Sequence, residues 1–185
     1  GQIEGYKEKY GMEYRRAYWD ERPNQWMLDE HYRRVFPLLK KRYLFSGVDN
    51  FYLFDLVDGG HINESAFCYI NGTAHEKALV LYNNQYDSVQ GWIKNSAPKL
   101  ERQGSEKRTE TLSLAEAMCL TVGGRRYVLY EAFPGKLTYM VPSLKVFDEG
   151  AHFHLNGYEA KVLLNIREVE DVDGTYEMLY NSIGD

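Results

Sequence analysis

Long apolar runs are missing from this sequence. The longest are a handful of residues, such as Ala78 to Leu81, far short of the ~20 that a helix needs to cross a bilayer. No membrane partner is expected. A basic stripe is missing too. Lys and Arg number 22 against 27 Asp and Glu, the net charge is −5, and both signs are mixed along the chain. Phosphate backbones demand clustered cations, so nucleic acid is excluded as a partner. Cysteine is scarce: Cys68 and Cys119 lie far apart, in SAFCYI and EAMCLTV, without CxxC spacing. They read as buried, reduced thiols. GxGxxG, P-loop, HExxH, GxSxG and EF-hand patterns are all absent, so no cofactor is expected and no catalytic residue is assigned.

What is present is a folding composition. The 185 residues are 44% hydrophobic and 15% aromatic, which suits one domain with an appendage. Sixteen tyrosines stand out. A Tyr ring is apolar with a polar tip, suited to half-buried strand faces and also to sugar or protein contact.

Organisation falls into three parts, residues 1–46, 47–170 and 171–185. The first 24 residues show no periodicity, and Gly1, Gly5, Gly11 and Pro23 punctuate them as loop. Glu4, Glu8, Glu13, Asp20 and Glu21 read there as solvated loop acids. From Gln25, Met27, Leu28, Tyr32, Val35, Phe36, Leu39 and Tyr43 recur at helical steps. This predicts an amphipathic helix capped by Asn24, kinked or broken at Pro37 and ended by Ser46-Gly47. After Gly47 the period becomes two. Strands are predicted at 50–57, 65–70, 77–83, 88–93, 120–130, 137–141, 152–155 and 159–169, with 97–111 as a long loop, a short helix at 112–117 and a tail helix in TYEMLYNSI. Asn156-Gly157 is the cleanest hairpin signal. Two asparagines, Asn63 and Asn71, stand in N-x-S/T sequons. The fold class that follows is mainly β, an antiparallel β-sandwich preceded by a loop and one amphipathic helix.

Three features bear on function. His152 and His154 are two apart on a strand, so both imidazoles could meet one metal. No third ligand stands beside them, and a solvent-facing pair is the simpler reading. Trp92, in SVQGWIK, and Trp19 are candidates for stacking on a sugar ring, with burial the simpler reading of Trp92. Trp26, on the helix, reads as core.

Taken in order, GQIEG, then RRAYWDE with Arg15, Arg16, Trp19 and Asp20, then HYRRVFPLLKKRYLFS, then SAFCYINGTAHEKALVLYNN resemble the closing part of an α-amylase-family glycoside hydrolase, family 13. In that family these pieces are the loop after the last barrel strand, the final barrel helix and the first hairpin of an all-β C-terminal domain. The resemblance covers roughly the first half of the chain and weakens after Trp92.

It implies a C-terminal fragment that supports a catalytic barrel in α-glucan metabolism and is not itself an enzyme. The family's catalytic carboxylates stand on earlier strands, and a whole barrel takes about 250 residues. The parent would be a hydrolase or transglycosylase. Implied partners are that barrel, an α-glucan, and a second copy of the chain through the apolar face of the helix. The compartment expected is a bacterial-type cytoplasm. Two alternatives of other classes stand beside this one: an independent carbohydrate-binding module using Trp92, and a metal-dependent enzyme using His152 and His154.

Overall fold

Asn24 opens the first helix: its side-chain oxygen accepts the Met27 N–H at 3.2 Å, an N-cap in extended backbone. The computed structural model describes residues 2–8, 16–103, 106–135 and 137–183, so Glu13 and Arg15 lie outside the described residues. The chain forms two compact units, Gly1–Arg42 and Tyr43–Asp185.

In the first unit the expected helix, kinked or broken at Pro37, runs through three contiguous segments. Helix α1 (Gln25–Glu30) runs into one wide π turn (His31–Val35) and then α2 (Phe36–Lys40). Pro37 lacks an N–H and its ring crowds the preceding turn. The π turn, closed by Phe36 N–H onto the His31 carbonyl, is how the chain makes room. None of these segments holds a buried residue. Trp26, expected in the core, is 72% exposed, because among the described residues this unit has no second layer to cover the helix. The loop before it is not merely solvated acid. Glu8 accepts the backbone N–H groups of Tyr18 and Trp19 at 2.9 and 3.0 Å, and Glu21 accepts those of Lys7 and Glu8, both at 2.8 Å. The two carboxylates replace the missing secondary structure as acceptors for orphan amides.

The second unit is mainly β. One antiparallel sheet has six strands in the order β1 (Tyr52–Phe54), β4 (Ala66–Gly72), β5 (Lys77–Asn83), β12 (Ala160–Glu170), β9 (Arg126–Phe133), β10 (Thr138–Pro142). The other has four: β11 (Ala151–Leu155), β6 (Val89–Ile93), β2 (Val57–Asp58), β3 (His61–Ile62). Phe54, Cys68, Ile70, Leu79, Leu81 and Leu163 of the first sheet share one core with Val89, Ile93 and Leu155 of the second. Alternation along each strand aims these residues inward. Among the described residues no helix is long and apolar enough to cross a membrane.

Four expectations need correction. Residues 97–111 are not loop but a two-stranded ribbon, β7 (Lys99–Gln103) and β8 (Glu106–Glu110). Its register sets Lys99 opposite Glu110 and Glu101 opposite Arg108. A ribbon that faces no core needs no apolar alternation, so the period of two was invisible. The strand expected at 120–130 starts only at Arg126, because Gly123 and Gly124 take φ of 85° and 74°. Asn156-Gly157 makes no hairpin: β11 pairs with β6 in one sheet and β12 with β5 and β9 in the other. The turn instead crosses between sheets, held by Asn83 Nδ2 donating to the Asn156 carbonyl at 2.9 Å and Tyr158 N–H to that of Gln85 at 3.0 Å. Cys119, expected buried, is exposed.

That last exposure has a local cause. Helix α3 (Leu114–Ala117) starts with a capping box, Ser113 and Glu116. It ends in a Schellman pattern: Cys119 N–H meets the Glu116 carbonyl and Leu120 N–H that of Ala115, both at 2.9 Å. Cys119 takes the left-handed position at φ 61° and its side chain is turned to solvent. Cys68, by contrast, is fully buried on β4, and desolvation, with Asp55 as a lesser influence, pushes its thiol up to about 12.

Helix α4 (Ser143–Glu149), bracketed by Pro142 and Gly150, went unread in the sequence. Asn71 is buried and donates to the Gly47 carbonyl at 2.9 Å, which removes its sequon from the surface.

Candidate functional site

Trp92 and His152 are brought together by the β6–β11 pairing, which sets them directly opposite one another. Along β6, Val89, Gly91 and Ile93 are buried while Gln90 and Trp92 point out. The indole is 40% exposed and meets the imidazole edge-on, centroids 5.2 Å apart at 62°. His154 shares that outer face one step further along, opposite Gln90. Its own carbonyl accepts Lys161 Nζ at 2.7 Å. Among the described residues no three His, Cys, Asp or Glu side chains gather where they could hold a metal ion. Trp19 belongs to the first unit and is 59% exposed.

Trp92 and His152 are also among the residues lining a cavity of about 810 Å³ that sequence reading missed. Its lining includes residues of β10 and β11, edge strands of the six- and four-stranded sheets. Tyr130 and Tyr139 wall one side, register partners whose rings stack at 5.5 Å and 11°. Ala151 and Phe153 of β11 face them, and Lys145 and Val146 of α4 close one end. Burial, and after it the neighbouring Tyr139, raises the Tyr130 phenol above its ordinary range. Each phenol O–H can donate a hydrogen bond into the cavity.

The remaining wall is helix α5 (Thr175–Ile183), which contributes Leu179, Tyr180 and Ile183. Its start is fixed. The buried carboxylate of Asp171 accepts Tyr176 and Glu177 N–H, each at 3.1 Å, and Asp173 accepts that of Thr175 at 3.0 Å. These acceptors satisfy the orphan amides of the first turn. Tyr176 and Tyr180 also lie on Tyr127, at 6.2 and 5.9 Å.

A second surface lies on the outer face of the six-stranded sheet. Register places Leu53, Tyr69, Val80, Val162 and Phe133 in one row across five strands, with Phe67, Tyr82 and Ala160 in the next. Leu53 and Phe67 are 41% and 46% exposed. Phe51 packs on Tyr69 at 5.3 Å and Phe67 stacks on Tyr82 at 6.5 Å. An antiparallel sheet with one wet face alternates apolar inward and polar outward. Here both faces are apolar. The signal was present in KALVLYN, whose continuous apolar run marks a strand covered on two sides.

Fold and surfaces together define a mainly β protein of antiparallel sheets with an apolar edge cavity and an aromatic outer face. Compared with known protein families, curated proteins and solved structures, the chain matches none.

Proposed function

We propose that this chain is the non-catalytic C-terminal part of an α-amylase-like glycoside hydrolase of family 13, supporting its catalytic barrel in α-glucan metabolism. The observation that carries the reading is the outer row of Leu53, Tyr69, Val80, Val162 and Phe133. Such a face has the composition of one covered by another layer of protein, and the barrel is the layer this reading supplies. The uncovered apolar residues of the first unit's helices, Trp26, Tyr32 and Leu39, agree with it, since a final barrel helix would bury them against the barrel. Catalysis would belong to carboxylates on barrel strands outside this sequence. The reading also places the protein in a bacterial-type cytoplasm, where its two thiols stay reduced. The coding sequence directly upstream of Gly1 tests it. Barrel strands ending there support it, and a start codon there sinks it.

A carbohydrate-binding role is the second reading, favoured by the exposed Trp92 with His152 at its edge. It requires maltoheptaose to bind and Trp92→Ala to weaken that binding at least tenfold. A flat titration removes it and leaves the supporting role in place.

A further inference from the structure

We propose that the cavity between β10 and β11 is a binding site for an apolar monocarboxylate, an acyl or aryl acid, and not for a sugar. Its volume of about 810 Å³ falls within the ~300–1,000 Å³ of sites that take small molecules. The chemistry of its wall selects the ligand. Among the described lining residues there is no Asp, Glu, Asn or Gln, the side chains that a buried sugar needs for its hydroxyls. A pyranose here would find no carboxylate or amide side chain to accept its hydroxyl protons, at the desolvation cost of each one left unpaired. An alkyl chain or aromatic ring meets Phe153, Val141 and Leu179 instead.

Besides Lys145, Tyr130 and Tyr139 the wall carries Trp92, Thr138, His152 and Tyr180, and among the described lining residues none is acidic. Lys145 of α4 supplies a cation, and the stacked Tyr130 and Tyr139 offer phenol O–H groups. Lys145 holds a further contact of its own, and an ammonium has three hydrogens to share. A ligand with an apolar body and one carboxylate matches this arrangement; a cationic amphiphile does not. The inference stands apart from the parentage proposed above, because neither the sheet face nor the upstream sequence enters it.

Isothermal titration of the purified chain with laurate tests it, with dodecyltrimethylammonium and maltoheptaose as comparison ligands. Laurate is expected to bind one per chain, with amide shifts centred on β9, β10, β11, α4 and α5. Lys145→Glu is expected to weaken it at least tenfold, and Val141→Trp, which fills the cavity, to abolish it. Both variants are first checked for a native thermal transition. Should Val141→Trp fail to fold, Lys145→Glu and the shift map decide. A Phe67→Ser, Tyr82→Ser double variant on the outer sheet face is expected to bind laurate unchanged. The proposal is overturned by no laurate binding, by equal binding of the cationic amphiphile, by maltoheptaose displacing laurate, or by loss of binding in the outer-face variant alone.

Discussion

Trp92 stands edge-on to His152 across the β6–β11 register, with ring centroids 5.2 Å apart. Edge-to-face aromatic pairs contribute ~0.5–1.5 kcal/mol beyond area burial. A double-mutant cycle of Trp92→Ala and His152→Ala, read by urea denaturation, is expected to show a coupling of that size. Trp92→Ala alone should cost about 1–2 kcal/mol, well below the ~2–5 kcal/mol of a core truncation such as Leu79→Ala. Additive single effects would mean that the rings touch without stabilising one another.

The two thiols should behave as opposites. Exposed Cys119 is expected to react with an aromatic disulfide reagent at pH 8, and Cys68 only after unfolding, because the thiolate is the nucleophile. Burial raises Cys68 from 9.0 to about 12, so between those values the folded state holds a proton that the unfolded state has released. Its contribution is complete below pH 9 and lost as pH rises toward 12, at up to about 1.4 kcal/mol per pH unit. Cys68→Ala should flatten that alkaline decline. An unchanged slope would assign it to other groups.

Two caps can be removed singly. Ser113→Ala breaks the box at α3, and Asp171→Ala strips two acceptors from the start of α5. Each should cost about 1 kcal/mol. Only Asp171→Ala should speed amide exchange across Thr175–Ile183, and protection there equal to wild type would show that Tyr127 alone holds α5.

The aromatic sheet face predicts self-association of the chain in the absence of a partner. Sedimentation should show a concentration-dependent mass, and Leu53→Glu with Phe67→Glu should weaken the association at least tenfold. The substitutions are on the exposed side and should leave the thermal midpoint near wild type. A wild-type chain that is monomeric at all concentrations would count against a sticky face.

Where a strand's inner positions met the core, its sequence announced it. Cys68 and Ile70 alternate with polar or aromatic neighbours, and Lys77–Asn83 was located to the residue. Pairing was not announced. The turn chemistry of Asn156-Gly157 specifies a reversal but not the partner, and β11 found its partner in β6, far back in the chain. The same long-range pairing is what joins Trp92 to His152, so two residues singled out separately gave no hint of contact. The cavity was less legible still: strands, α4 and α5 each supply a few side chains, and no local pattern encodes a shared void. Helix α4 left only faint marks, a Pro before it and a Gly after it.

The place of β12 in its sheet has a consequence for how the chain matures. Strands β5 and β9 are not bonded to each other; each zips onto β12, which follows both in the chain. During synthesis the early meander β1-β4-β5 therefore waits with an open edge, and so does the β9–β10 hairpin, until Ala160–Glu170 arrives to seal both. A ribosome stalled before Ala160 would release a chain with two adhesive strand edges. Of all truncations, those that remove this one strand should be the hardest for a cell to keep soluble.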